Sequence, residues 1–148
     1  RMTDFSSLIA KLEAATEGDR GLDGDIALAV GWRLISSIEP RLCTHTWFAP
    51  GEERGRDYLR IETGSKWEEK IADCVPWYTT SIDAALTLVP SEYAIRLTIL
   101  GTRRESFGKD RRLAWVHMHI TGCEQWSARA FTPALALCIA ALKARQQK

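Results

Sequence analysis

Residues 75–81, Val-Pro-Trp-Tyr-Thr-Thr-Ser, place two large rings and three hydroxyls directly ahead of a helical pattern. The first backbone N–H groups of a helix lack internal acceptors, and the dipole there favours an anion. Trp77, Tyr78, Thr80 and Ser81 are therefore candidates for a pocket that stacks a base and holds phosphate. The same residues also fit a plainer role, a capping box with a packed aromatic in front of it. A second source of phosphate contacts is the segment 101–112, where Arg103, Arg104, Lys109, Arg111 and Arg112 stand against Glu105 and Asp110. Guanidinium forks grip phosphate bidentately, so Arg103, Arg104 and Lys109 join the candidate ligand residues; a solvated loop tip is the alternative. Trp47 is added because six tryptophans exceed what the core of a 148-residue chain needs. Trp47, Trp77, Trp115 and Trp126 fall on or beside predicted strands, and about half of them are expected to be core.

His117 and His119 share one face of a predicted strand, and Cys43 and His45 are two apart on another. If those strands paired, four metal-capable groups would share one surface with a spacing that suits zinc. Alternate polar residues on a half-buried sheet face need no ligand, and no metal or cofactor is assigned. Standard catalytic signatures are missing: there is no G-x-S-x-G elbow, no H-E-x-x-H, no phosphate-loop motif and no dinucleotide fingerprint. A non-enzymatic role is expected. Hydrolysis of a cyclic nucleotide by His117 and His119 is the enzymatic alternative, and it needs a geometry that sequence does not show.

Composition bounds the rest. With 45% hydrophobic and 26% charged residues, 20 Lys+Arg against 19 Asp+Glu and a formal charge of +1, the chain reads as a single globular domain over 1–148. At this length folding buries roughly 68–70% of the surface that the unfolded chain exposes, so neither a disulfide framework nor a structural metal is required. The near-neutral charge argues against a general nucleic-acid binder. No apolar run reaches the roughly 18–20 residues of a membrane span, and the start lacks a signal-peptide layout, so a soluble cytoplasmic protein is expected. Arg1 precedes Met2, which reads as the natural start, and is set aside. Cys43, Cys74, Cys123 and Cys138 form no C-x-x-C pair and read as reduced thiols.

The elements that must position these residues follow from periodicity. Phe5, Leu8, Ile9 and Leu12 behind Asp4 predict a helix over 5–16. The stretch Asp19–Asp25 resembles a calcium loop, but its twelfth position is Val30 where a bidentate Glu is needed, so it reads as a turn with an N-cap. A second helix is expected from Leu22 to Ile38, with Ile26, Val30 and Leu34 on one face and Pro40 closing it. Candidate strands follow at 44–48 and 58–62. A third helix begins with Thr80 as cap and Asp83 as its capping-box partner, and Pro90 stops it. Strands at 93–100 and 113–121 flank the basic hairpin, and a further strand at 125–131 leads into a final helix with Thr132 as N-cap and Pro133 in the first turn. If 125–131 is a sheet edge, it either pairs with a second copy or is protected by Glu124 and Arg129. The order α-α-β-β-α-β-β-β-α predicts an α+β fold, an antiparallel sheet layered with helices as an α/β/α sandwich.

Three stretches carry a family resemblance: Asp25-Ile-Ala-Leu-Ala-Val-Gly-Trp32, Tyr78-Thr-Thr-Ser-Ile-Asp-Ala-Ala-Leu-Thr-Leu-Val-Pro90 and Ala128-Arg-Ala-Phe-Thr-Pro-Ala-Leu-Ala-Leu-Cys-Ile-Ala-Ala-Leu142. Together they resemble the phage ABA sandwich domain family, and the order is similar to that of NinX-like phage proteins. The resemblance implies a phage or prophage origin, a bacterial cytoplasmic setting and a sheet layered between helices. It transfers no catalytic residue, and 49–70 and 101–112 lie outside it.

Two functions are carried forward. The first is a small accessory protein that sequesters a nucleotide-type host immune signal, an anti-defence sponge, with a homo-oligomeric state. The second is a protein-binding inhibitor or host-regulating adaptor that acts through a Trp/Arg-rich surface.

Overall fold

The computed structural model describes residues 4–39, 42–62, 75–99, 114–120 and 123–146. In chain order the elements are α1 (Ser6–Ala14), α2 (Arg20–Ala29), β1 (Arg33–Glu39), β2 (Leu42–Phe48), β3 (Arg56–Glu62), α3 (Ile82–Leu86), β4 (Ala94–Ile99), β5 (Ala114–Ile120), β6 (Cys123–Ala130) and α4 (Pro133–Gln146). The fold is α+β, with helices against small antiparallel sheets. Where one sheet is expected from sequence, the strands form two three-stranded meanders, β1-β2-β3 and β4-β5-β6. The backbone clusters into two compact units, a terminal unit (Arg1–Gly18 with Tyr78–Lys148) and an inserted unit (Asp19–Trp77).

In the terminal unit, α4 is the organising element. Residues Ala134 to Leu142 and Ala144 are all buried, so the helix has no solvent face along most of its length. A helix that is apolar all round belongs inside a core. It packs on β5 and β6, and α1 and α3 pack on it, α1 through buried Leu8, Ile9 and Leu12. Thr132 caps α4 as its sequence predicts, its hydroxyl accepting from Leu135 N–H at 3.3 Å. At the far end Arg145 Nε donates to the Leu88 carbonyl at 2.8 Å, and Lys143 meets Glu13 at 2.9 Å. The start of α1 differs slightly from expectation. Phe5 occupies the cap position, while the Asp4 carboxylate accepts from Ser6 N–H at 2.9 Å. Hydrogen bonds from the Ser6 hydroxyl and then its backbone N–H hold the Asp4 carboxyl below its ordinary value.

In β5, Val116 is fully buried and its neighbour His117 is half-buried, as alternation requires. In β6, Ala128 and Ala130 are buried while Ser127 and Arg129 are exposed. Within its sheet β6 lies at an edge, as does β4.

The inserted unit holds the main departure from the sequence-based expectation. The helix anticipated over 22–38 ends at Ala29, and Arg33–Glu39 is a strand paired antiparallel with β2 from Arg33↔Phe48 to Glu39↔Leu42. The cause is Gly31. Its φ of 104° lies in the region that favours glycine, and it lets Trp32 N–H reach the Ala27 carbonyl at 2.9 Å while Gly31 N–H reaches Leu28 at 3.4 Å. That pair of bonds is a Schellman motif, which ends the helix and satisfies its last carbonyls. The helix begins as the turn reading requires: the Asp19 carboxylate accepts from Leu22 N–H at 3.0 Å.

Candidate functional site

In the inserted unit, three backbone and side-chain features converge on Arg20, in the first turn of α2. Asp23 lies three residues further along the helix and is fully buried. A buried carboxylate is tolerated only when paired. Arg20 supplies the pair, Nη1 to Oδ2 at 2.7 Å, with side-chain exposures of 12% for Arg20 and 0% for Asp23. Arg20 also reaches the segment that leaves the unit. Its Nη2 donates to the Val75 carbonyl at 2.8 Å and its Nη1 to that of Pro76 at 3.4 Å. The next residue, Trp77, lies under the guanidinium, with Cζ 4.2 Å from the ring centroid. That distance is within cation–π range.

Trp77 is nevertheless 48% exposed. One ring face is occupied by a guanidinium that is itself fixed by an ion pair and two carbonyls. The side chain is thus held in place while much of its surface stays in water. A rigid, half-exposed aromatic anchored from behind is the kind of side chain that stacks on a planar ligand or seats in a partner's pocket.

The other residues singled out from sequence fall elsewhere. Tyr78 belongs to the terminal unit and is 3% exposed, so its ring offers no stacking face; its carbonyl accepts from Cys138 Sγ at 3.1 Å. Thr79 is fully buried. Thr80 does not cap α3. Its hydroxyl lies beside Gly18, where an added Cβ would come within 2.5 Å of Thr80 Oγ1 and 2.7 Å of the Thr79 carbonyl oxygen. Ser81 is the cap, accepting from Ala84 N–H at 3.2 Å. This one-residue shift puts Ala84 in place of Asp83 at the third helical position, so no capping box forms. Because α3 has five residues and the Ser81 hydroxyl is engaged in capping, the phosphate half of the 77–81 pocket is not assembled as expected. Trp47 is 1% exposed on β2 and is core. Arg103, Arg104 and Lys109 lie outside the described residues.

The zinc arrangement required the strand of Cys43 and His45 to pair with that of His117 and His119. Their strands, β2 and β5, belong to different sheets: β2 lies between β1 and β3, and β5 between β4 and β6. Among the described residues no group of three or more His, Cys, Asp or Glu is placed to hold a metal. Among the described residues, too, no helix is long and apolar enough to cross a membrane.

Sequence reasoning missed Arg20 and Asp23. A signal for the pair existed, since opposite charges at i and i+3 on a helix are neighbours. Nothing in the sequence ties Arg20 to Trp77, because the link is made by the carbonyls of residues 75 and 76. Comparisons with protein-family models, with curated proteins and with solved structures found no match to this chain.

Proposed function

We propose that the chain is a non-enzymatic binding protein that sequesters a nucleotide-type small molecule, with Trp77 as the residue that stacks on it. The observation that carries this reading is Trp77, 48% exposed and with its indole clamped on Arg20. Preorganisation supports it, since a side chain already held in one orientation loses little freedom on binding. The resemblance to phage ABA sandwich proteins supplies the biological setting of the proposal, a phage accessory protein that removes a host immune signal in the bacterial cytoplasm. Arg103, Arg104 and Lys109 are retained as proposed phosphate contacts on their chemistry alone. Self-association through β6 is proposed as the source of a homo-oligomer, because an edge strand leaves backbone groups open to a second strand.

A protein-binding role is the second reading. It is favoured by exposed large apolar side chains: Leu28 and Ile35 in the inserted unit, and Ile82, Leu86 and Ile99 in the terminal unit. Covering such side chains with a partner removes apolar surface from water, which favours association.

The test is heat denaturation of the purified protein followed by mass spectrometry of whatever small molecule is released, alongside light scattering for the native mass. A stoichiometric nucleotide-like species, present with the wild type and absent with Trp77→Ala, is the expected result. Protein that stays empty after exposure to extracts containing defence signals contradicts sequestration and turns attention to a pull-down. Arg103→Ala with Arg104→Ala separates the two readings, because loss of the small molecule with an unchanged partner profile belongs to the first.

A further inference from the structure

We infer that the outward face of Trp77 is a charge-neutral platform for the planar heteroaromatic ring of a nucleoside-type ligand, and that it reads the ring and not the phosphate. The inference rests on Trp77 being the ligand contact and adds what that contact selects.

The Arg20 guanidinium would by itself attract anions, but the buried Asp23 carboxylate lies 2.7 Å from Nη1, so the pair carries no net charge. Its Nη1 and Nη2 donate to Asp23 and to the carbonyls of Val75 and Pro76, and its Nε is buried from solvent. A phosphate placed at Trp77 would find the Arg20 cation already paired with Asp23 and its N–H groups engaged or buried. What the corner offers is a ring. With the guanidinium 4.2 Å from the ring centroid and 48% of the residue still exposed, that exposed part of the side chain is the surface left for a ligand. Stacking on an indole is tolerant of ring identity because every base has a π-face. A planar ring of similar size can therefore cover this face without an ionic contact. Rigidity sharpens the selection. The exposures of 12% for Arg20 and 0% for Asp23 mean that the support is buried and fixed, so the face keeps one orientation. Any phosphate on the same ligand must be held by other residues, and its contribution must be separable from that of Trp77.

The test follows the indole N–H resonances of the 15N-labelled full chain. The Trp77 peak is assigned by its loss in Trp77→Phe, and the probes are adenosine, adenosine 5′-monophosphate and inorganic phosphate. The expected result, in the Arg103→Ala, Arg104→Ala, Lys109→Ala background that removes the proposed phosphate contacts, is that adenosine and the monophosphate move the Trp77 peak with similar midpoints, and that inorganic phosphate does not move it. Those midpoints should change little between about 50 mM and about 200 mM salt, a range over which phosphate-driven binding weakens steeply. Both shifts should survive, reported by neighbouring backbone peaks, in Trp77→Phe, which keeps a ring, and disappear in Trp77→Ala. A midpoint for the monophosphate lower than that of adenosine by about tenfold or more overturns the inference, since a charge-assisted contact contributes on that scale. A response of Trp77 to phosphate alone, or no response to either nucleoside or nucleotide, also overturns it. Failure here is distinguishable from failure of the broader reading. If Trp77→Ala still abolishes capture of the co-purified molecule while the titration is negative, the binding role of Trp77 stands and its selectivity is wrong. If Trp77→Ala retains that molecule at the wild-type level, the binding role itself is wrong.

Discussion

The two compact units use the same sheet, a three-stranded antiparallel meander, but are organised in opposite ways. In the terminal unit the helix against the sheet is apolar all round, and α4 contributes buried Leu135, Leu137, Ile139 and Leu142 to the core. In the inserted unit, α2 buries Ile26 and Ala27 but also carries a buried carboxylate, Asp23, paired with Arg20. Apolar burial is non-directional and stabilises in proportion to area. A buried ion pair adds little net stability, but it fixes directions, because both partners must keep their geometry. The terminal unit therefore gains mainly from apolar burial along α4, while the inserted unit sets a buried ion pair against the partly exposed Trp77.

Substitutions can break this contrast. The largest effect is expected in α4. Leu135→Ala should destabilise the protein by about 2–5 kcal/mol, toward the upper part of that range, because residues on both sides of it along α4 are buried and the cavity cannot readily collapse. Urea denaturation checks it, and a loss below about 1 kcal/mol would remove α4 from the centre of the core. Asp23→Ala comes next. It leaves a mostly buried guanidinium without its carboxylate, at a cost of roughly 3 kcal/mol. The double substitution Arg20→Met with Asp23→Leu should recover most of that stability while releasing Trp77, seen as a shift of its indole N–H resonance, assigned by its loss in Trp77→Phe. Recovery with that resonance unmoved would show that the ion pair does not hold the ring.

Gly18→Ala should cost about 1–3 kcal/mol, because its Cβ meets the Thr79 backbone as well as the Thr80 side chain. Thr132→Ala removes the hydroxyl that caps α4, for a loss of about 1 kcal/mol in thermal or chemical denaturation. The smallest effect belongs to Asp4. Its carboxyl titrates below the ordinary value in the folded chain, so its contribution is present above the unfolded pKa and disappears as the pH falls through the lower folded one. A carboxyl NMR titration that places Asp4 at or above its ordinary value would contradict the Ser6 contacts.

How much of this was legible depends on whether the signal is local. The helices α1, α3 and α4 announce themselves through apolar stripes and, for α4, through Thr132-Pro133. The strands β2 to β6 were recognisable from alternation and glycine punctuation, with ends displaced by a few residues. The first strand was hidden because Ile26, Val30 and Leu34 continue a helical period across the true boundary. Only Gly31 marks the stop, and its meaning depends on a φ that the sequence does not display. The candidate site was half legible. Trp77 could be picked out as a large ring beside a proline, but neighbouring Tyr78 looks equally available in sequence and is buried in the fold. The Arg20–Trp77 stack bridges residues 57 positions apart, a separation over which periodicity and spacing carry no information.

In the proposed role, Trp77 is the residue at the surface that contacts the ligand. The most direct test of that role compares wild type with Trp77→Ala for the small molecule released on heat denaturation, with circular dichroism confirming that both are folded. A stoichiometric ligand from the wild type and none from a folded Trp77→Ala variant is the predicted outcome. Equal ligand from both proteins, or none from either after exposure to the same extracts, would contradict it.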